Sequence, residues 1–346
     1  MNHGPFGSGR TRGWMVAALA VVALAVAWWI VASSRTPGEP TLQSIRIGEA
    51  GTVELALIYI ADGMGFFEDE GVDVELVRYA SGRDAIAGAL NGEVELATPY
   101  DGPVVLNANR GEPIRVLTVL AFAPDNTRLL IRASSGIDDP SGLRGKRVGI
   151  VENSNPVYLL SLLLRDVGMD LADVETVPMS PPETVTAILD GDVDAISIWA
   201  PYWQQVRDAL GADAIATYTS PIYVESAFLA TTRDVLEERA DAIQRVLRAL
   251  IRAEVHLITN PEEALELVVA RLSDKVSAEI VREQWGTVEF AVRLDQRTFV
   301  SLESQATWFA EVARFGDAPD DLSVIFSPGP LRSVAPLRVT YGAGGP

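Results

Sequence analysis

The chain of 346 residues has no cysteine and only two histidines, His3 and His256. Without a thiol there is no disulfide, no thiolate nucleophile and no lipid-modified N-terminal cysteine. Without a His or Cys cluster the common metal centres lack a ligand set. His3 falls in the N-terminal tail, and His256, in AEVHLIT, reads as a half-buried helix residue. Neither cofactor nor metal is expected, no catalytic residue is assigned, and the chain does not read as an enzyme. Positive charge is also scarce. Lys and Arg number 28 against 47 Asp and Glu, a net charge of −19. Such a surface repels nucleic acid and anionic lipid, so no nucleic-acid partner is expected. It does not bar an anionic ligand, because a cleft is governed by its own donors.

Charge is missing altogether from residues 14–32, which follow Arg10 and Arg12 and carry Trp28-Trp29 near their end. At ~1.5 Å per residue, such a helix almost crosses the ~30 Å of bilayer hydrocarbon. The arginines mark the cytoplasmic side and the tryptophans suit the outer interface. A cleaved secretory signal, with Val31 and Ser33 as the small residues before the cut, competes with a retained anchor. The run exceeds the usual apolar core of a signal, ~7–15 residues, which favours the anchor. Either way, the rest of the chain leaves the cytoplasm.

What the chain does have is a repeat. Residues 45–103 read strand (IRIGEA), small loop (GTVE), apolar helix, strand (VDVELVRYA), Ser-Gly loop, helix (DAIAGALNG) and strand (EVELATPYDGP). Residues 146–203 read strand (RVGIVE), loop (NSNP), helix (VYLLSLLLRDVGM), strand (VETVPMS), Pro-Pro loop, helix (ETVTAILDG) and strand (DVDAISIWAPYW). Ala89-Leu90-Asn91-Gly92-Glu93-Val94-Glu95 answers Ile188-Leu189-Asp190-Gly191-Asp192-Val193-Asp194. Two βαβαβ halves imply two similar α/β lobes with a cleft between them.

The expected layout is a cytoplasmic tail (1–13), a signal or transmembrane segment (14–32) and a Pro/Gly-bearing linker (33–44). One lobe then comprises 45–125 and 223–346, and the other 126–222. Residues 123–126 read as the outward crossing, and the apolar strand 223–231 as the return. Helices are expected over 234–258, 261–272, 277–290 and 295–314, followed by an extended tail. Asn260-Pro261-Glu262-Glu263 is a clear helix start, with a cap, a proline at the first helical position and acids in the first turn.

Gly65-Phe66-Phe67-Glu68-Asp69-Glu70-Gly71-Val72-Asp73-Val74 resembles the GxFxxEGxxVE signature of solute-binding proteins of the nitrate/sulfonate/taurine ABC-importer family, the SsuA/THI5-like group. Ser81-Gly82, the 89–95 segment, Leu143-Arg144-Gly145-Lys146-Arg147-Val148-Gly149, Asp192-Val193-Asp194-Ala195 and Trp199-Ala200-Pro201-Tyr202 match in the same order. The resemblance covers about residues 45–272. It implies a two-lobed type II periplasmic-binding-protein fold, each lobe a doubly wound mixed sheet, with a hinge of two crossings. It also implies a monomer that delivers a small sulfonate-, taurine- or nitrate-like solute to an ABC permease. Capture of a pyrimidine-type or other heterocyclic solute, or service to a membrane sensor, is the alternative.

Ligands of open α/β sheets lie beyond the carboxyl ends of the strands, near helix N-termini. That rule selects Thr52 in the first loop of lobe 1. It selects Ser154 and Asn155, as helix cap and possible oxyanion donors, in the first loop of lobe 2. Ser81 and Gly82 occupy the second loop, where the resemblance places ligand contacts. Ser180 and Glu183, equivalent in position, read as a self-satisfied capping box. Arg83 is the one cation in a candidate loop and reads as a solvated charge. Tyr100, Trp199 and Tyr202 at the third strand ends offer ring faces to an apolar ligand body. Asp101 and Glu225 bear on ligand charge. If both line the cleft, a zwitterion or a neutral or cationic heterocycle fits as well as a plain anion.

Overall fold

The computed structural model describes residues 1, 42–152, 154–312 and 316–341. All that follows concerns the unit running from Gln43 to Pro346. The 14–32 stretch, expected to be a signal or transmembrane helix, lies outside the described residues. Among the described residues no helix is long and apolar enough to cross a membrane.

The repeat becomes two sheets of like construction. In the first lobe β1 (Gln43–Glu49) lies between β2 (Val72–Arg78) and β3 (Leu96–Ala97), parallel to both. In the second, β6 (Arg147–Ile150) lies between β7 (Glu175–Pro178) and β8 (Ala195–Trp199), again parallel to both. Each repeat thus runs in the order second, first, third. Each is then extended by an antiparallel strand beside the third. In lobe 1 that strand is β10 (Glu225–Thr232), beyond which lie β4 (Ile114–Ala123) and β11 (Glu289–Arg293). In lobe 2 it is β5 (Thr127–Arg132), followed by β9 (Ile215–Tyr218). The chain crosses between β4 and β5 and returns between β9 and β10, so both neighbours of the third strands are also the arms of the hinge. The two-lobed α/β fold expected from the repeat is the one observed.

Parallel strands are covered on both faces, which explains their unbroken apolar runs. Ile45 and Ile47 of β1 and the first-loop helix Ala56–Gly63 are buried, that helix over nearly its whole circumference. The long helix Ala240–Thr259 instead buries one apolar stripe, from Ala242 to Ala253, and with it Glu254, which Arg338 meets. The lobes also meet in a ring cluster. Tyr158, on helix Asn155–Asp166 of lobe 2, packs edge-on against Tyr223 at 5.3 Å and Trp308 at 5.2 Å.

Three expectations about the C-terminal region need correction. Residues 277–290 are not one helix. Helix Ala278–Trp285 stops at Gly286, and Glu289–Arg293 joins the edge of the first sheet. The β-favouring Val288, Phe290 and Val292 override the helical period there. The 234–258 helix is broken at Arg239, giving Arg233–Glu238 and Ala240–Thr259. The tail read as extended holds helix Gly329–Val334 and a 3-10 turn, Pro336–Arg338.

Candidate functional site

A cleft of about 390 Å³ opens where the carboxyl ends of both parallel triplets meet. All six strand-end loops contribute to its wall. Lobe 1 brings Ala50 and Thr52, then Ala80 to Asp84, then Tyr100. Lobe 2 brings Val151, Ser154 and Asn155, then Ser180 to Pro182, then Trp199 to Tyr202. The crossings supply Asn126 and Glu225, and the C-terminal region reaches in with Lys275.

Nine of the ten residues expected at the site line this cleft; Asp101 does not. Thr52 Oγ1 lies 2.7 Å from the Tyr100 hydroxyl, which donates to Glu54 at 3.0 Å. Burial pushes the Tyr100 phenol well above its usual range, so it stays neutral. Ser81 is largely occupied in capping. It accepts from the Asp84 amide at 3.2 Å and donates to the Asp84 carboxylate at 2.7 Å. Gly82 serves a close approach: a Cβ there would stand 2.9 Å from the Thr98 carbonyl oxygen. Ser180 donates to Glu183 at 2.6 Å through its hydroxyl and at 2.7 Å through its amide, a capping role although it borders the cleft. Trp199 and Tyr202 are half-buried and meet edge to face at 6.0 Å. Neither is lobe core. That part falls to the neighbouring Trp203, 4% exposed, whose indole donates to the Asn126 carbonyl at 3.1 Å.

Asn155 and Asp101 differ from their expected roles. Ser154, not Asn155, occupies the helix cap position, and its hydroxyl donates to the Val151 carbonyl at 2.5 Å. Asn155 is the first helical residue, and its side chain reaches the other lobe. Its Oδ1 accepts from the Gly102 amide at 2.9 Å, and its Nδ2 donates to Asp101 Oδ1. Asp101, 1% exposed, also accepts from Gly102 N at 3.2 Å, Tyr223 at 3.2 Å and Gln305 at 2.8 Å. It therefore sits behind the cleft wall, clasping two helix N-termini from opposite lobes. Burial pushes its carboxyl up to about 6.

Sequence reasoning missed several features. Glu54 is 2% exposed, and its carboxyl is raised by burial. Glu49 is wholly buried yet fully satisfied, by Arg78 at 2.6 Å, Tyr59 at 2.7 Å and the Gly51 amide at 2.5 Å. Lys275 donates to the Ala50 carbonyl at 2.5 Å. It is one of only two lysines in the chain, a rarity that could have drawn notice. Asn126 follows directly from its place in the outward crossing. Arg83 is exposed at the cleft border, 3.9 Å from Asp84. His256 is not a cleft residue and packs edge-on against Phe66 at 6.0 Å.

The model of the NMT1/THI5 like family matches residues 52–264, more than half of the chain and all but a few of the cleft positions. The chain belongs to the NMT1/THI5-like family. A putative aliphatic sulfonates-binding protein of Bacillus subtilis is 26% identical over 273 residues, 73% of this chain and 82% of the relative. The taurine-binding periplasmic protein of Escherichia coli is 23% identical over 226 residues, 63% of this chain and 68% of the relative. Among solved structures, the alkanesulfonate-binding protein SsuA of Xanthomonas axonopodis pv. citri, bound to MOPS, superposes with a TM-score of 0.68 at 18% identity. That likeness covers 84% of this chain and 100% of the other, and it concerns the fold. As an NMT1/THI5-like protein the chain carries its cleft between the two lobes, at the strand ends where ligands of α/β sheets lie.

Proposed function

We propose that this chain is an extracytoplasmic receptor that closes its two lobes on a small solute and presents it to the permease of an ABC importer. The observation that carries the reading is the shared cleft: both repeats and both crossings, with Lys275 of the C-terminal region, converge on one half-open space of ligand size. The names of its relatives point to sulfonates and taurine as the class to test first. Solute binding fits a wall that joins hydroxyls, ring faces and backbone with the charged groups Arg83, Asp84, Glu225 and Lys275. The uncharged 14–32 run supports tethering to the outer face of the membrane, and N-terminal sequencing of the protein from its host checks it. A chain beginning near Ser34 would mean the run is cleaved.

The receptor reading is tested by thermal denaturation with sulfonates, taurine, nitrate, bicarbonate and pyrimidines in turn. A true ligand at 100 times its Kd adds about 2.7 kcal/mol to stability. At least one solute should therefore raise Tm by several degrees. A flat response to every class would overturn the reading, and a response confined to pyrimidines would favour the heterocycle alternative.

A further inference from the structure

We infer that the solute held in this cleft carries a basic nitrogen, a protonated amine or a comparably N–H-rich group, and that Glu225 receives it. The inference rests on the cleft being the ligand site and deepens that reading. Three carboxyls act on one another at and behind the cleft wall with very little exposure: Glu54 at 2%, Asp101 at 1% and Glu225 at 4%. Among the described residues none of the three belongs to an ion pair. Glu49 provides the contrast, since Arg78 meets it at 2.6 Å. The chain pairs the buried Glu49 and Glu254 each with an arginine, whereas Glu54, Asp101 and Glu225 have no ion-pair partner among the described residues.

The three are not equivalent. Asp101 is surrounded by four neutral donors, and Glu54 takes the Tyr100 hydroxyl. Glu225 has the Thr127 hydroxyl at 2.5 Å and the Asn126 side chain, and it alone of the three lines the main cleft. None of the cations nearby forms an ion pair with Glu225: Lys275 donates to the Ala50 carbonyl and its charge acts on Glu54 and Glu49, Arg128 lies over the Trp203 ring, and Arg83 stands exposed beside Asp84. A smaller cavity of about 30 Å³ shares Asn126 and Ala200 with the cleft and is lined by Glu54 and Gln204. Gln204 is wholly buried, and among the described residues both its amide atoms lack a partner. Among the described residues no Arg or Lys is ion-paired to Glu225, whose hydrogen-bond partners are neutral. A sulfonate or nitrate without a basic nitrogen would leave it so. A ligand ammonium would supply a counter-charge, with the Trp199 and Tyr202 rings flanking it.

The protonation of the floor supports the same assignment. Burial, then the Asp101 charge, raises the Glu225 carboxyl well above the ordinary range. The groups facing it are Asp101, Glu54, Tyr100 and Tyr223; each is raised by burial. An arriving ammonium would lower the Glu225 value and expel its proton.

The test is a matched pair measured by calorimetry at pH 7.5: taurine and ethanesulfonate, which differ by the amine. Taurine should bind the full chain at least 10-fold more tightly, with proton release that depends on buffer ionisation enthalpy. Glu225→Gln should shrink the preference to within about 3-fold. The wild-type preference and proton release stand even where that variant fails to fold. Equal binding of the pair, or a preference that survives in a folded Glu225→Gln, overturns the assignment while leaving the receptor reading intact. Failure of both compounds and of every solute in the Tm screen overturns the receptor reading and this inference together.

Discussion

Gly102→Ala isolates the clasp between the lobes. A Cβ at Gly102 would stand 2.1 Å from Asn155 Oδ1 and 3.2 Å from the Asn155 amide nitrogen. The side chain of Asn155 is free to rotate away, but it then loses the Gly102 N–H bond at 2.9 Å and its bond to Asp101. The backbone contact also forces the two helix N-termini apart by a few tenths of an ångström. A neutral buried hydrogen bond is worth about 0.5–1.5 kcal/mol and one to a charged group about 1.5–3 kcal/mol. Allowing for partial replacement by water, the lobe-to-lobe contact should weaken by about 1–3 kcal/mol, or roughly 5- to 150-fold in the closed population. Each lobe should be spared, since alanine is up to about 1 kcal/mol better than glycine within a helix. Solute affinity should therefore fall while circular dichroism and Tm without ligand hold. Small-angle scattering should show a larger radius of gyration. Asn155→Ala removes both bonds and the 2.1 Å side-chain contact, leaving only the backbone contact at 3.2 Å, so adding Gly102→Ala to it should cost less than Gly102→Ala alone, the non-additivity expected of residues in contact. Unchanged affinity and scattering in Gly102→Ala, or fully additive losses in the double variant, would refute the clasp.

Trp199→Ala should weaken solute binding by about 1–3 kcal/mol, the scale of a lost ring contact, with the circular dichroism spectrum unchanged. Global unfolding of that variant would assign the indole to the core. Asp101→Asn should flatten the fall in stability between about pH 4 and pH 7. A carboxyl raised to about 6 in the fold favours its neutral form, so its contribution is complete below the unfolded value near 4 and lost as pH rises through 6. The variant is accommodated because Gln305 Oε1, without a partner among the described residues, can accept from the new amide once the Gln305 side chain flips. Parallel Tm-versus-pH curves for the two proteins would contradict the assignment.

Much of the architecture was legible because a repeat constrains topology. Two βαβαβ halves with apolar first strands can bury those strands only under helices on both faces, which sets the same strand order twice. The strand-end rule then placed eight residues on one cleft, because loops at the carboxyl ends of parallel strands share one edge of a sheet; the ninth, Glu225, belongs to the return crossing. What failed was local. Residues 277–290 carry a helical period that Gly286 interrupts, and the edge of a distant sheet claims the remainder. That claim depends on β4, far back in the sequence, and no window along the chain contains it.

Asp101 and Asn155 show a related limit. Asn155 reads as a helix-start donor and Asp101 as a group that bears on ligand charge; Asn155 lines the cleft, Asp101 lies behind it, and the two are hydrogen-bonded to each other. A helix N-terminus offers free N–H groups to any acceptor, and an acceptor from the opposite lobe competes with solute for them. Proximity in the sequence to a strand end shows that a residue borders the cleft, but not whether the ligand or the other lobe takes its hydrogen bonds. Glu225 is the complementary case. Its flanks, Val224 and Ser226, carry no sign of the two other acids that meet it in space, because Glu54 and Asp101 come from the opposite end of the chain. That cluster of acids exists only in the folded protein, which is why the sequence left zwitterion, heterocycle and anion equally open. Among the described residues Glu225 is a cleft carboxyl with no Arg or Lys in ion-pair contact, and the proposal of a basic nitrogen rests on it.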